Sequence, residues 1–450
     1  MTDSQIFRRG PAWTIVVLLQ LYMLVNFLDK IALSMTAVPL MSELNLSAAQ
    51  FGMISGSFYW LFSLSGILVG LSCRRLAARW LLLVMGIAWA ALQIPVLFAT
   101  NAHELLWARM LLGAAEGPAF PFTVVALFQW FPDEKRNLPV AVVSTGASIG
   151  LVLAGLLIPS ITAAWGWRSN FAILAAIGAL WSLLWLGIGC NPRLIRGSSE
   201  GRSADARGNA GYRLPDALPY RTLFADRSVL AIYGGAIAGY TVLGITMTWL
   251  PLYLQRGLGY SAASAGRWFT VVVLILMPVQ VFLSGLSQRL MRRGTSSRNA
   301  RAKLLGAAMI ISALLLVALG KLPLAPIQKT VVIALSSGLG ALATAFGPVL
   351  LAEVTPLGQQ PVMLAIFTAI GNIAAAVAAV ATGHLVQAAG AANPHGYELG
   401  YMGAAGVIFC AAIGCLRWLH TERSRRKLCA PTSHDDSDES KTARALNQVR

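Results

Sequence analysis

Four ionisable side chains lie inside long apolar stretches of this 450-residue chain. They are the carboxylates of Asp29 and Glu116 and the cations of Lys30 and Arg109. A charge inside a bilayer is costly unless it faces a cavity or a partner, so such residues indicate a functional site. Arg109 and Glu116 are seven residues apart, which places them on one helix face about 10 Å apart along the axis. Both can therefore line one central cavity.

The types of these four residues suggest a division of labour. The planar donors of Arg109 suit a carboxylate ligand, and Lys30 adds a second positive charge. Asp29 and Glu116 can each take up and release a proton, which predicts proton-coupling sites. The alternative is that the four side chains form two structural ion pairs between the first and fourth helices. Because a buried ion pair is weak evidence for stability, the functional interpretation is favoured.

Three further side chains are predicted to contact a substrate. Tyr59 and Phe62 lie on the second apolar segment, where their rings can pack on a substrate or only on neighbouring helices. Asn372 can donate a hydrogen bond to a substrate oxygen or to another helix. Weaker candidates are Gln93, Ser144 and Ser148.

The composition shows which elements must position these residues. The chain is 56% hydrophobic and only 12% charged, whereas a soluble domain carries about a quarter charged residues. A set of soluble domains is therefore excluded, and the chain is predicted to be an all-α membrane protein. Each apolar segment can hold the roughly 20 residues that a spanning helix needs. We predict twelve spanning helices near 13–36, 49–71, 80–100, 105–130, 138–162, 169–190, 228–252, 265–288, 304–321, 330–352, 361–387 and 399–417.

The basic residues predict the orientation of these helices. The chain has 35 Lys and Arg residues against 18 Asp and Glu residues, a net charge of +17. Most of the basic residues fall in the segments on the side of the N-terminus. This asymmetry places both termini in the cytoplasm, and the lipid bilayer of the cell membrane becomes the expected partner. The positive charge is thus an orientation signal, and a nucleic-acid partner is not expected.

An arginine-rich polar segment at 191–227 divides the helices into two sets of six. We predict an N-terminal half at 1–190, a cytoplasmic linker at 191–227, a C-terminal half at 228–419 and a disordered cytoplasmic tail at 420–450. Gly70-Leu71-Ser72-Cys73-Arg74 and Gly285-Leu286-Ser287-Gln288-Arg289 share one pattern at matching positions of the two halves. Such a repeat is typical of a secondary transporter in which two halves rock around a central site.

Other kinds of chemistry are not expected. The stretch Gly146-Ala147-Ser148-Ile149-Gly150 fits the G-x-S-x-G motif of hydrolases, but it lies inside a predicted span and not at a strand-to-helix turn. Its small residues favour close helix packing instead, so we do not expect an enzyme. The five histidines and five cysteines show no spacing for metal ligands. No nucleotide-binding motif is present, so neither a metal nor a cofactor is expected.

Several longer stretches resemble a known family. They are Asn26-Phe27-x-Asp29-Lys30-x-x-Leu33-Ser34, Arg109-x-x-x-Gly113-x-x-Glu116-Gly117-x-x-x-Pro121, Trp130-Phe131-Pro132 with Lys135-Arg136, Gly166-Trp167-Arg168-x-x-Phe171, Trp249-Leu250-Pro251-x-Tyr253, Glu353-x-x-Pro356 and Gly371-Asn372. Together they resemble the major facilitator superfamily. More narrowly, they resemble its anion:cation symporter family, which includes sialin, the vesicular glutamate transporters and bacterial sugar-acid, tartrate and phthalate transporters.

The resemblance implies a fold of two six-helix halves. It also implies that Asp29 and Glu116 are proton sites and that Arg109 supports substrate binding or coupling. The chain departs from the family pattern at six positions. Arg74 and Gln288 stand where the loops usually carry Asp, and Ala77 stands where the 2–3 loop usually carries Gly. Phe62 and Gly66 stand where helix 2 commonly offers Tyr and Gln, and Lys30 stands where Arg is common.

These observations predict proton-coupled uptake of a small organic anion by alternating access. The expected location is the cell membrane, here a bacterial inner membrane, and a monomer is expected to suffice. The loss of two hydrogen-bonding groups in helix 2 favours a less hydroxylated or aromatic carboxylate over a sugar acid. Two alternatives remain, namely an exchanger or facilitator without proton coupling and a membrane sensor that binds the anion without moving it.

Overall fold

The computed structural model describes residues 9–72, 78–131, 135–188 and 217–429, and within these ranges the chain is helical without strands. Twelve helices are long and apolar enough to cross a membrane, which confirms the predicted number. Numbered as spans 1 to 12, they are Gly10–Met35, Ala48–Leu68, Ala78–Phe98, Ala102–Phe128, Asn137–Trp165, Arg168–Ile188, Arg227–Gly257, Ala262–Arg292, Arg298–Lys321, Pro326–Val354, Leu357–Ala389 and Pro394–Trp418.

Some spans are interrupted, and shorter helices join or extend them. Span 4 consists of two helices, Ala102–Glu116 and Ala119–Phe128. The span is interrupted at Pro118, because proline cannot donate the backbone hydrogen bond of a continuous helix. Span 10 is likewise divided into Pro326–Gly340 and Leu342–Val354. The short helices outside the spans are Ala37–Glu43, Tyr220–Ala225 and Thr421–Cys429.

The two polar segments predicted at 191–227 and 420–450 are only partly described. Residues 191–216 and 430–450 lie outside the described residues, as do Arg74 and the acidic run at 435–439. The end of the linker forms the helix Tyr220–Ala225. The start of the tail is also helical where disorder was predicted, because Thr421 and Leu428 are buried and anchor Thr421–Cys429.

Close helix packing builds the first half. A side chain at Gly146 or Gly150 of span 5 would collide with the backbone of Gln20 or Leu24 in span 1. The G-x-S-x-G stretch therefore serves helix packing, as the sequence predicted. Small residues let the two helix backbones approach each other closely in a membrane.

The two halves meet at one end of the bundle. We call this end the outer side; it also holds Glu43 and Arg168, while the opposite end, which holds the start of span 1, is the inner side. Spans 2 and 11 touch where Gly52 faces the backbone of Ala379 and Gly383, and spans 5 and 8 touch at Gly155 and Gly266. Trp249 of the second half also faces Gly52, and its indole N–H donates a hydrogen bond of 2.9 Å to the carbonyl oxygen of Ala379 within the same half. The contacts across the two halves close the space between them from the outer side.

A carboxylate joins three outer loops of the first half. Trp167 Nε1 donates a hydrogen bond of 2.6 Å to Glu43 Oε2, and Arg168 forms an ion pair with the same carboxylate. Arg168 also donates to the carbonyl oxygens of Leu97 and Ala99, at 2.9 and 3.0 Å. The hydrogen bond from Trp167, together with Arg168, holds the pKa of Glu43 below its ordinary value.

Glu43→Gln is expected to lower the melting temperature of the purified protein at neutral pH. Because the pKa of Glu43 is lower in the folded state, its stabilising contribution is present above the unfolded pKa of about 4.3 and is lost as the pH falls through the folded pKa. The side chain is half exposed, so the effect stays within about 1 kcal/mol. Melting curves from pH 7 downward should show the two proteins converging in acid. A difference in melting temperature that does not change with pH would contradict this role.

Candidate functional site

Two glycines bring span 4 against span 2 at the candidate site. A Cβ atom on Gly113 or Gly117 would collide with the backbone of Phe58 or Phe62. The four-residue spacing of small residues is a common means of close helix packing in membranes. This packing places the buried face of span 4, which carries Arg109 and Glu116, beside the aromatic residues of span 2. It also places that face beside the part of span 1 that carries Asp29.

Asp29 is held by three residues from two other spans. Its Oδ2 atom accepts hydrogen bonds from Trp89 Nε1 at 2.8 Å and from Gln93 Nε2 at 2.9 Å, both on span 3. Its Oδ1 atom lies 3.8 Å from Arg109 Nη1. The Asp29 and Arg109 side chains are 0% and 3% exposed, so this charge pair is closed off from solvent. The Asp29 carboxylate therefore has a fixed position.

Glu116 is held more loosely. Its Oε2 atom accepts a hydrogen bond of 2.8 Å from Asn26 Nδ2 and lies 3.9 Å from Lys30 Nζ. Its buried Oε1 atom has no hydrogen-bond partner among the described residues. Lys30 Nζ lies over the rings of Phe27 and Phe62, 4.5 and 4.7 Å from their centres, a geometry that stabilises a cation.

A cleft between the two halves opens beside these charges. It encloses about 290 Å³ of empty space, including the part that is open to solvent, and is lined by Lys30, Leu33, Ser34, Ser55, Phe58, Tyr59, Arg109, Met247 and Thr248. Arg109 Nε and Nη1 are buried and have no hydrogen-bond partner among the described residues. The two ion pairs are longer than hydrogen bonds, so both cations keep donor capacity for a ligand in the cleft.

The predicted site residues separate into two groups. The structure brings Asp29, Lys30, Arg109 and Glu116 together, with Tyr59 in the cleft wall and Phe62 under Lys30. The two ion pairs of the structural alternative are therefore observed. The unpaired donors of Arg109 favour a ligand role.

The remaining candidates lie elsewhere. Asn372 is buried on span 11, its Nδ2 atom has no hydrogen-bond partner in the described part of the chain, and it does not line this cleft. Ser144 is exposed and donates to the carbonyl oxygen of Val140 in its own helix, and Ser148 is half-buried outside the cleft lining. Gln93, a weaker candidate, contacts Asp29 directly.

The sequence pattern does not mark every residue of the site. Asn26 lies in one of the resembling stretches and Trp89 in the third predicted span, but the pattern assigns a role to neither. The signal was available, because Trp89 and Gln93 are four residues apart and so share one face of a predicted span. From the second half, Met247 and Thr248 complete the cleft wall.

A further buried carboxylate lies in the second half, near the outer side. Glu398 Oε1 accepts hydrogen bonds from Lys329 Nζ at 2.6 Å and from Tyr253 Oη at 2.9 Å. The predicted span limits left Glu398 and Lys329 just outside spans 12 and 10. This trio does not line the cleft and ties spans 7, 10 and 12 together.

A protein-family model matches more than half of this chain. It is the model of the Major Facilitator Superfamily, which matches residues 19–300. The chain belongs to the major facilitator superfamily. A D-galactonate transporter of Escherichia coli O6:H1 is 27% identical over 309 residues, which cover 66% of this chain and 72% of that protein. The probable galactarate/D-glucarate transporter GarP of Escherichia coli K12 is 24% identical over 405 residues, which cover 84% of this chain and 90% of that protein.

Solved structures of this superfamily share the fold. A bacterial homologue of the human lysosomal transporter Spinster, in an inward-facing and occupied conformation, superposes with a TM-score of 0.76. The match covers 94% of this chain and 100% of that one at 16% identity. The prediction of a major facilitator fold with twelve spanning helices in two halves is therefore confirmed.

Proposed function

We propose that this major facilitator protein is a secondary active transporter that takes up a small organic anion together with protons. The relatives named as transporters of galactonate and of galactarate or glucarate support a carboxylate of the sugar-acid class, in contrast to the less hydroxylated or aromatic acid that the helix-2 residues favour. Asp29 and Glu116 are the proposed proton sites. Lys30, Arg109 and Tyr59, which line the cleft, are the proposed substrate contacts, together with Phe62 beside Lys30 and, once the halves have moved, Asn372 of span 11. No enzymatic step, metal or cofactor is part of the proposal.

The unused donors of Arg109 carry this proposal. A buried guanidinium with free N–H groups is costly unless a ligand completes its hydrogen bonds. A carboxylate fits because its oxygens accept charge-assisted hydrogen bonds from guanidinium N–H groups. Arg109 lines the cleft together with Lys30 and with the hydroxyl groups of Ser34, Ser55 and Tyr59. A hydroxylated carboxylate would therefore find both cations and neutral hydrogen-bonding groups.

The charge balance of the site supports proton coupling. When all are ionised, the two carboxylates of Asp29 and Glu116 compensate the two cations of Lys30 and Arg109. An entering monoanion would leave one uncompensated negative charge in a buried site, which is strongly unfavourable. A proton on a carboxylate restores neutrality, so anion and proton bind best together. Glu116 is the stronger candidate because its carboxylate accepts one hydrogen bond, from Asn26, whereas the carboxylate of Asp29 accepts two, from Trp89 and Gln93.

Alternating access would use the two halves as moving bodies. The contacts of spans 2 with 11 and 5 with 8 close the outer side in this conformation, and their separation would open the cleft outward. We propose that the protein lies in a bacterial inner membrane with both termini in the cytoplasm, as the basic residues favour. A single chain contains the whole cleft, so a monomer would suffice.

A binding screen followed by flux measurement tests this function. Thermal shifts of the purified protein against carboxylic acids, among them D-galactonate, D-glucarate and benzoate, identify ligands because a ligand of the folded state raises its stability. Proteoliposomes then show whether a stabilising acid crosses the membrane. Binding without flux would indicate a sensor. Flux and counterflow that do not respond to a pH gradient would indicate an exchanger or facilitator.

Phe62→Tyr is expected to shift substrate preference towards hydroxylated acids. The Phe62 ring lies under Lys30 near the cleft, and tyrosine adds a hydroxyl there with little change in ring volume. A site that hydrogen-bonds a substrate hydroxyl discriminates more strongly than an apolar one. Competition assays with sugar acids and unhydroxylated acids measure the rank order of substrates. An unchanged order would show that Phe62 does not select the substrate.

A further inference from the structure

A second pocket lies at the inner side of the second half, away from the cleft. It encloses about 760 Å³ of empty space, including open solvent, and its lining is mostly basic or polar: Ser296, Arg298, Asn299, His420, Glu422, Arg423 and Arg426. The pocket lies between the start of span 9 and the helix Thr421–Cys429. It shares no lining residue with the cleft, so the transport site does not account for it.

Tertiary contacts hold the wall formed by Thr421–Cys429 in place. Ser424 Oγ donates a hydrogen bond of 2.8 Å to Asp226 Oδ1 and lies 2.8 Å from Ser228 Oγ. The backbone N–H of His420 donates to the same Ser228 hydroxyl at 3.0 Å. Leu428, one turn further along the same face of the helix, is also buried. The basic residues therefore project from a fixed surface and not from a freely moving tail.

The pocket carries an excess of positive charge. Among its lining residues in the described part of the chain, Arg298 and Arg423 face one carboxylate, Glu422. Burial and the nearby charges of Arg298 and Arg423 lower the pKa of His420. Arg298 Nε is buried and has no hydrogen-bond partner among the described residues. The hydrogen-bond donors that surround this positively charged pocket suit an anion with several acceptor oxygens. A phosphate group has this chemistry.

The surroundings of the pocket indicate where such a phosphate would come from. Spans 9 and 12 pack together at Gly306 and Leu416. Both expose large apolar side chains, as a lipid-facing surface does, among them Ile311, Leu314, Phe409 and Ile413. Trp418, which ends span 12 beside the pocket, is 47% exposed, and tryptophan is enriched at the membrane–water interface. The pocket thus lies at headgroup level, at the end of a lipid-facing surface.

We propose that this pocket binds the headgroup phosphate of an anionic phospholipid, whose acyl chains lie along spans 9 and 12. Arg298 and Arg423 hold the phosphate from opposite walls. An anionic headgroup gains more than a zwitterionic one, because only the anionic lipid leaves a net negative charge to compensate the arginines. Bound lipid would stabilise the inner end of the second half.

Native mass spectrometry of the full chain in detergent tests this site, with phosphatidylglycerol and phosphatidylethanolamine as probes. Arg298→Gln/Arg423→Gln is expected to weaken phosphatidylglycerol binding about thirtyfold, at about 1 kcal/mol per arginine. Arg423→Gln alone, at an exposed position that folding tolerates, should weaken it about fivefold. The matched control is Arg292→Gln/Arg293→Gln, which removes two exposed inner-side arginines outside the pocket and should change binding less than twofold.

Three outcomes would overturn the proposal. Equal losses in the pocket and control variants would mean that the lipid senses only overall charge. Displacement of phosphatidylglycerol by inorganic phosphate at equal concentration would indicate a site for a soluble phosphate. Tight binding that appears only in a chain ending at Cys429 would show that the acidic run at 435–439 occupies the pocket.

Discussion

Arg109→Lys will reduce substrate affinity by about tenfold to a hundredfold although the positive charge is kept, because a hydrogen bond to a charged group contributes about 1.5–3 kcal/mol. Arg109 lines the cleft with Nε and Nη1 unpaired among the described residues. An ammonium group cannot present two parallel donors to a carboxylate. The contact between the guanidinium carbon and the Phe58 ring, 5.5 Å from the ring centre, changes as well.

Substrate counterflow in proteoliposomes measures this loss without requiring a proton gradient. Arg267→Lys is the matched control, because Arg267 is exposed at the outer end of span 8, away from the cleft. Its side chain donates a hydrogen bond to the Ser264 hydroxyl. The control should retain the affinity of the unmodified protein. Near-normal affinity in Arg109→Lys would mean that Arg109 is not the carboxylate ligand.

Glu116→Gln will abolish accumulation driven by a pH gradient and leave substrate counterflow. Glutamine can still accept the hydrogen bond from Asn26 and resembles the protonated acid. The site then keeps a permanent excess of one positive charge from Lys30, which favours anion binding. The loaded carrier can still change sides, but the proton release step is gone. Gradient-driven uptake and counterflow, measured on the same proteoliposomes, separate these two effects.

Asp29→Asn tests whether Asp29 carries a second proton beside that of Glu116. Asp29 is fixed by Trp89, Gln93 and Arg109, and if it also carries a proton, two protons accompany each anion. A monoanion moved with two protons transfers one positive charge, and the membrane potential then contributes about 2.3 kcal/mol per 100 mV. Uptake would respond to an inside-negative potential. Retained pH-driven accumulation in Glu116→Gln would remove Glu116 as the coupling residue.

The sequence predicted the features that depend on hydropathy along one helix. Twelve spans follow from apolar length, and Asp29, Lys30, Arg109 and Glu116 stand out because a charge in such a span is rare. Two ion pairs between spans 1 and 4 are an alternative that the sequence allows, but the pairing of Asp29 with Arg109 and of Lys30 with Glu116 comes from the structure. Which side chains meet depends on the rotation and separation of two helices, and close packing at Gly113 and Gly117 sets both.

Features near the ends of the spans were harder to predict. Lys329 and Glu398 each lie one turn inside a helix, yet a hydropathy pattern assigns such residues to loops. Their ion pair depends on the packing of spans 10 and 12. Thr421–Cys429 is strongly polar, and its order depends on the hydrogen bond between Ser424 and Asp226. A contact between residues so far apart in the chain leaves no local sequence signal.

Uptake of a labelled substrate into proteoliposomes under an imposed pH gradient tests the central claim most directly. The substrate is the carboxylic acid that most strongly stabilises the purified protein. With an acidic exterior, we expect transient accumulation above the external concentration, and a protonophore should abolish it. Protein-free liposomes and Glu116→Gln should show no such accumulation. Equal uptake with and without the gradient, or retained accumulation in both Asp29→Asn and Glu116→Gln, would contradict proton-coupled transport.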